Sequence, residues 1–231
     1  MTPARPETTP QPNPGKVARL RRLWAEARPL AAGDAAAAYL QARGLDLRGL
    51  AADALRTHHA LPYWTDGAVV GTYPAVLARV VGPTGDPVAM HATYLDPERP
   101  GNKAPVPAPR KLWPTHPGAT RGAAVRLYPL DGDRLAVAEG IETALAVHQL
   151  AGLPCWAAIS AGGLERVELP SAAREVFVCA DHDENGAGQR AAEHLARRLV
   201  AEGRVVRVAL PLEPGTDFLN ALQTERREVA V

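Results

Sequence analysis

Apolar residues in this chain are spaced first as short helices, then as a hairpin, and finally as an alternating series of strands and helices. In VARLRRLWAEARPL, Val17, Leu20, Leu23, Trp24 and Ala27 share one helical face that ends near Pro29. Asp34 can cap AAAAYLQAR and Gly44 can stop it, and a third short helix is expected around residues 48–56. PAVLARVV (74–81) and PVAMHATYL (87–95), separated by GPTGD, predict a β-hairpin. AAVRLYPL (123–130) and RLAVAE (134–139) read as two more strands joined by a tight turn. From Arg134 onward the order is strand, helix (141–152), strand (154–160), a loop SAGGLERVELPSAA, strand (175–181), helix (187–203) and a last strand (204–211). These later strands are continuous apolar runs, as a parallel sheet covered on both faces requires. The expected fold is therefore α/β: a parallel sheet flanked by helices over 134–231, preceded by a smaller mixed α+β subdomain over 16–133. Residues 1–15, MTPARPETTPQPNPG, are too rich in proline to fold and form a tail.

Composition narrows the setting. Hydrophobic residues make up 46% of the chain and aromatics 5%, enough for a mainly aliphatic core. No run approaches the roughly 18 apolar residues of a membrane helix, and the N-terminus lacks the apolar segment of a secretion signal. A cytoplasmic protein is expected. Cys155 and Cys179 sit inside apolar strands, and without a CxxC or Cys/His cluster no zinc site is expected. The small net charge of +1 hides an asymmetry: residues 1–133 are basic on balance and residues 134–231 acidic. Arg99, Lys103, Arg110, Lys111, Arg121 and Arg126 occur in one acid-free, proline-rich stretch. Proline there forbids a helix and disfavours central strands, so the stretch reads as an extended track for a phosphate backbone or as a solvated linker.

Three carboxylates fall where strands should end. Glu139 closes one apolar run and is followed by Gly140, which lets backbone turn close to a ligand. Asp181 and Asp183 alternate with His182, so both leave an extended segment on the same side. Acids grouped at the carboxyl ends of parallel strands repel one another and suit a hard divalent cation. The glycines after Ser160, Gly163 among them, let that loop run close to the same point. DHDENG opens like a calcium-binding EF-hand loop, but its twelfth position is Ala192 and a strand precedes it. An aspartyl-phosphate phosphatase and plain structural carboxylates stay open as readings. Neither a P-loop nor a G-x-S-x-G elbow is present.

AEGIETAL, CADHDENGAGQRAA and GTDFLNAL, in that order, resemble the Glu-Gly, Asp-x-Asp and Gly-x-Asp motifs of the Toprim domain. That domain is shared by DnaG-type primases, type IA and II topoisomerases and certain nucleases. Upstream, AAAAYLQARGL and HATYLDPERPGNKAPVPAPRKLW are similar to segments of the primase RNA-polymerase core, most closely the compact primase-like proteins of phages, plasmids and other mobile elements. The resemblance implies Mg²⁺ (or Mn²⁺) held by the catalytic acids Glu139, Asp181 and Asp183, with Asp217 nearby. It also implies contact of Lys103, Arg110 and Lys111 with template or nucleotide phosphate, with Arg121 and Arg126 further along the same basic stretch. The implied function is primer synthesis on single-stranded DNA from nucleoside triphosphates, with a replicative helicase as a partner. A Toprim nuclease and a non-catalytic accessory protein binding single-stranded DNA or a helicase are the alternatives. One position departs from the family: Glu-Gly-x-x-Asp ends here in Thr143, leaving an acidic ligand missing unless Glu142 substitutes.

Overall fold

The computed structural model of the 231-residue chain describes residues 11–229. Most of the expected tail lies outside the described residues, but Asn13 already caps the first helix, accepting from the Lys16 amide at 3.1 Å. Helix α1 (Pro14–Glu26) is followed by β1 (Arg28–Pro29), α2 (Ala35–Ala42), β2 (Leu55–Thr65), β3 (Ala68–Val81), β4 (Pro87–Tyr94) and β5 (Arg110–Pro114). The five strands form one antiparallel sheet in the order β1-β2-β3-β4-β5. The predicted hairpin is its β3–β4 pair. The helix expected at 48–56 is not formed: turns lead straight into β2, whose apolar positions are satisfied by pairing with β3. β5 falls inside the proline-rich basic stretch and lies at the sheet edge, where proline's missing N–H does least harm.

This sheet is covered on both faces. Leu20 and Leu23 of α1, with Ala27 just after it, pack with Leu61, Tyr63, Ala75, Leu77, Met90, Ala92 and Tyr94 on one side. On the other, Val76, Ala78, Val80 and Ala89 share a core with Tyr39 and Leu40 of α2 and with the second half of the chain.

The second half contains β6 (Arg134–Ala138), α3 (Ile141–Ala151), β7 (Cys155–Ala157), α4 (Ala161–Arg166), β8 (Glu175–Cys179), α5 (Ala187–Ala201), β9 (Val205–Ala209) and α6 (Phe218–Val229). Its four strands are all parallel, in the order β7-β6-β8-β9. Alternation along β6 sends Ala136 and Ala138 toward the core containing α3 and α6, and Leu135 and Val137 toward the core containing α4 and α5. Both faces of β6 are thus buried. The edge strand β9 leaves Val205 and Val208 exposed, because among the described residues no strand or helix covers its outer side as fully as the centre. Cys155 and Cys179 are buried free thiols. Residues 123–130, expected as a strand, make only isolated bridges, Ala124 to Val81 and Val125 to Ala157, so this segment links the two sheets instead of joining one. Among the described residues, no helix is long and apolar enough to cross a membrane.

The β7–α4 connection is tight. Ile159 takes φ 76°, a conformation that a β-branched side chain rarely adopts, and its amide donates to the Glu139 carbonyl at 2.7 Å. A Cβ at Gly163 would lie 2.0 Å from the Ala158 carbonyl oxygen. Gly163→Ala should therefore lower the unfolding free energy by about 3 kcal/mol or more, since backbone must move. Gly132→Ala, at φ 75° in open space, should cost only about 1 kcal/mol. Urea titration of both variants checks the contrast.

Candidate metal centre and basic groove

Parallel pairing of β6 with β8 sets Ala138 opposite Cys179, so Glu139 and Asp181 emerge from neighbouring strand ends. Glu139 is half-buried. Burial and the Asp183 charge raise its pKa, while the Ala161 amide and Arg110 act in the opposite direction. Asp181 is pushed up to about 7 by burial first and then by the charges of Asp217, Glu139 and Asp183, against a lowering contact with the Thr143 hydroxyl. Asp183 accepts from the Gly188 amide at 3.1 Å at the start of α5. A side chain at Gly188 would crowd the Asp181 carbonyl oxygen at 3.1 Å and the Asp183 carboxylate at 3.3 Å, so glycine lets the helix approach both. Asp217 caps α6 reciprocally with Asn220, its carboxylate accepting from the Asn220 amide at 2.9 Å. The four predicted acids are therefore electrostatic neighbours.

Two observations bear on whether they suit a cation. Asp181 Oδ1 is buried with no hydrogen-bond partner, and the charges of Asp217, Glu139 and Asp183 oppose its ionisation, so a positive charge would relieve both costs. The donor set is all oxygen, which suits Mg²⁺ or Mn²⁺. Among the described residues, however, no group of three His, Cys, Asp or Glu side chains is already arranged to hold a metal ion. Closing on a cation requires rotamer adjustment of the repelling carboxylates.

Glu142, considered above as a replacement acid, is engaged elsewhere. It is 9% exposed, and its carboxylate accepts from the Tyr39 hydroxyl at 2.5 Å and pairs with Arg43 at 3.0 Å, Arg110 at 3.4 Å and Lys103 at 3.7 Å. Burial alone would raise its pKa, but Lys103, the Tyr39 hydroxyl, Arg43 and Arg110 together hold it below the usual carboxylate range. Burial lowers the Lys103 pKa, and burial with the adjacent Glu142 raises that of Tyr39. One acid of α3 thus ties α2 and the basic loop to the parallel-sheet half. Thr143 lies on the Asp181 side, and Gly140 sits at the N-cap of α3, where a Cβ would be 3.3 Å from Thr143 Oγ1.

The remaining basic residues divide between structural and open positions. Arg126 donates to the Gly82 carbonyl at 2.8 Å and lies over the Trp156 ring at 4.7 Å. Lys111 donates to the Trp64 carbonyl and sits 3.9 Å from the Tyr63 ring. Between the antiparallel sheet and α4 runs a groove of about 620 Å³ whose lining includes Arg110, Lys111, Arg121, Arg166, His91 and Ser160, with no acidic residue. His91 is pushed down to about 4 by burial and the Arg110 charge, so it is neutral near pH 7. Tyr39, Arg43, His91 and Arg166 escaped sequence reading because only packing brings them to this place. The AAAAYLQAR helix did hold a local signal, since Tyr39 and Arg43 are spaced to share a face.

The match to a Toprim family profile spans residues 134–228. The chain carries a Toprim domain. Residues 14–127 match a separate domain family of unknown function, DUF7146. No curated protein matches the chain by sequence. Several solved structures share its fold. A DNA primase domain from Pseudomonas aeruginosa is 18% identical with a TM-score of 0.54, covering 94% of this chain and 76% of that one. The primase fragment of the bacteriophage T7 primase-helicase protein is 18% identical with a TM-score of 0.53, covering 100% and 80%. A DnaG primase catalytic domain bound to single-stranded DNA is 17% identical with a TM-score of 0.58, covering 93% and 78%. The antiparallel sheet followed by a Toprim sheet is thus a fold like that of these primase structures.

Two substitutions test this description. Glu142→Gln leaves three cations around a neutral amide and should cost about 3 kcal/mol of stability, measured by urea unfolding. Asp181→Asn removes charge from the crowded Toprim acids and should stabilise the metal-free protein by about 1 kcal/mol, allowing for partial exposure. It should also abolish any rise in melting temperature on adding Mg²⁺, read by thermal denaturation with and without EDTA.

Proposed function

We propose that this Toprim protein is a primase-like nucleotidyltransferase that makes short primers on single-stranded DNA. The reading is carried by one juxtaposition: acids at the ends of β6 and β8, with an unpartnered buried oxygen on Asp181, beside an acid-free groove lined by Arg110, Arg121 and Arg166. Glu139, Asp181 and Asp183 would hold Mg²⁺ or Mn²⁺, with Asp217 behind them. When bound, such a metal supplies charge neutralisation of phosphate and a lowered pKa for an attacking hydroxyl.

The chain's own groups do the positioning. Arg110 lies close enough to Glu139, Glu142 and His91 to influence the ionisation of each, so it stands between the acids and the groove. A triphosphate placed there would meet acids through its metal on one side and guanidinium groups on the other. Arg121 and Arg166 would track the template's phosphates, an interaction that weakens with salt. His91, neutral and buried, adds no competing charge. Two neighbours support the choice of partners: one is a primase domain bound to single-stranded DNA, and the other is part of a primase-helicase, which makes a replicative helicase the natural protein partner.

A non-catalytic role in binding single-stranded DNA has one observation in its favour, the hydroxyl of Thr143 beside Asp181 where the family motif has a carboxylate. Incubating the protein with single-stranded DNA, labelled nucleoside triphosphates and Mg²⁺ or Mn²⁺ separates the readings. New oligonucleotides from the parent protein, reduced at least about 100-fold in Asp181→Asn/Asp183→Asn, are expected. Shortened template without new product would instead mark a nuclease, and DNA binding with neither product an accessory protein.

A further inference from the structure

We propose that the tip of the β2–β3 hairpin is a base-stacking platform for single-stranded nucleic acid leaving the basic groove, with Trp64 as the stacking side chain. The inference rests on the groove being a nucleic-acid track and adds where the strand goes beyond it.

The hairpin turns at Asp66 and Gly67, both with positive φ (50° and 81°), and pairs Trp64 with Val69. Folding leaves this tip apolar and open: Trp64 is 45% exposed, Val69 48% and Val70 59%. A solvent-facing indole flanked by valines gains nothing from the fold that a polar residue would not supply. The other three indoles are engaged. Trp24 lies between the Arg56 and Arg79 guanidinium groups, 4.7 and 4.5 Å from its ring. Trp113 lies under Arg19 at 5.4 Å, and Trp156 is buried under Arg126. Among the described residues, Trp64 is the indole with no cation stacked on it.

Its position relative to the groove follows from strand alternation. Arg110 pairs with Thr93, and Leu112 with His91, placing both on the groove side of β5. Lys111, between them, points to the opposite face, where its ammonium group meets the Tyr63 ring and the Trp64 carbonyl. β5 is the edge strand, and among the described residues no further strand covers it. A polyanion lying along Arg166, Arg121 and Arg110 can therefore cross the free edge at the half-exposed Leu112 and meet Lys111, whose hydrogen bond fixes the hairpin tip at that point. A cationic track ending at an exposed aromatic ring is the chemistry of sequence-tolerant single-strand binding: phosphates follow the charge and a base stacks on the ring. The one acid of the tip, Asp66, lies in the turn itself.

The test uses the full chain without nucleotide or metal, so it is independent of catalysis. A short oligothymidylate and an abasic oligonucleotide of equal length are titrated at low salt, following tryptophan emission and the anisotropy of an end label. Oligothymidylate should quench emission of the parent protein. Trp64→Leu should lose that quenching and bind about tenfold more weakly, whereas Trp64→Phe should keep most of the affinity. The abasic strand, which offers phosphates but nothing to stack, should bind parent and Trp64→Leu alike. Equal melting temperatures for the three proteins show that the exposed substitutions leave the fold intact. Undiminished binding of oligothymidylate by Trp64→Leu, or an equal loss for both oligonucleotides, overturns the platform. If Arg110→Ala/Arg121→Ala then loses binding while Trp64→Leu does not, the platform alone falls and the groove stands. No binding of either strand by the parent protein overturns both.

Discussion

Everything at the site depends on a repulsion that the fold enforces. Pairing of β6 with β8 brings Glu139 and Asp181 to adjacent strand ends, and the tight entry to α5, open because Gly188 has no side chain, brings Asp183 to the same place. Asp217, fixed as the cap of α6, closes the group. Backbone hydrogen bonds throughout a buried parallel sheet hold these attachment points, so the acids can move only by side-chain rotation. A positive charge placed among these acids would relieve that crowding.

A second charge cluster does the opposite work. Around Glu142 cations outnumber acids, with Arg43, Lys103 and Arg110 converging on one carboxylate and Tyr39 adding a hydroxyl. Tyr39 and Arg43 come from α2 and its C-cap, Lys103 from the basic loop and Arg110 from β5, so the cluster joins all three to α3 of the Toprim domain. Its excess positive charge and the excess negative charge of the Toprim acids meet at Arg110. Under the proposed reading, a metal-bound triphosphate would match this polarity, its metal toward the acids and its anionic oxygens toward the guanidinium groups. The two clusters together thus account for the acid-basic division of the sequence better than either does alone.

Strain and tightness coincide at the β7–α4 corner. Ile159 at positive φ and the glycine required at 163 let the chain reverse next to Glu139 while Ser160 caps α4 by accepting from the Gly163 amide. Non-glycine residues in this conformation are held by their surroundings, and here the hydrogen bond from Ile159 to the Glu139 carbonyl does so. The corner therefore couples the groove wall, formed by Ile159, Ser160 and Gly163, to the backbone of Glu139.

The sequence by itself determined the Toprim half: continuous apolar runs separated by one helical pattern specify parallel strands covered on both faces, and acids directly after such runs must emerge together at the sheet's carboxyl edge. It also determined that residues 99–126 hold no helix, because six prolines forbid one. Tertiary structure alone decided the rest. Residues 55–65 carry no clean period and become β2 only because β3 is there to pair with them, while 123–130 look like a strand but are left between two sheets with no continuous partner. The fate of each charge was likewise invisible locally: Glu142, one residue from Thr143, faces the antiparallel half, and Lys111, although it lines the groove with its neighbours, carries its ammonium group to Tyr63 and the Trp64 carbonyl on the other face of the sheet. Side-chain direction on a helix or strand is set by which surface is buried, and long-range packing makes that choice.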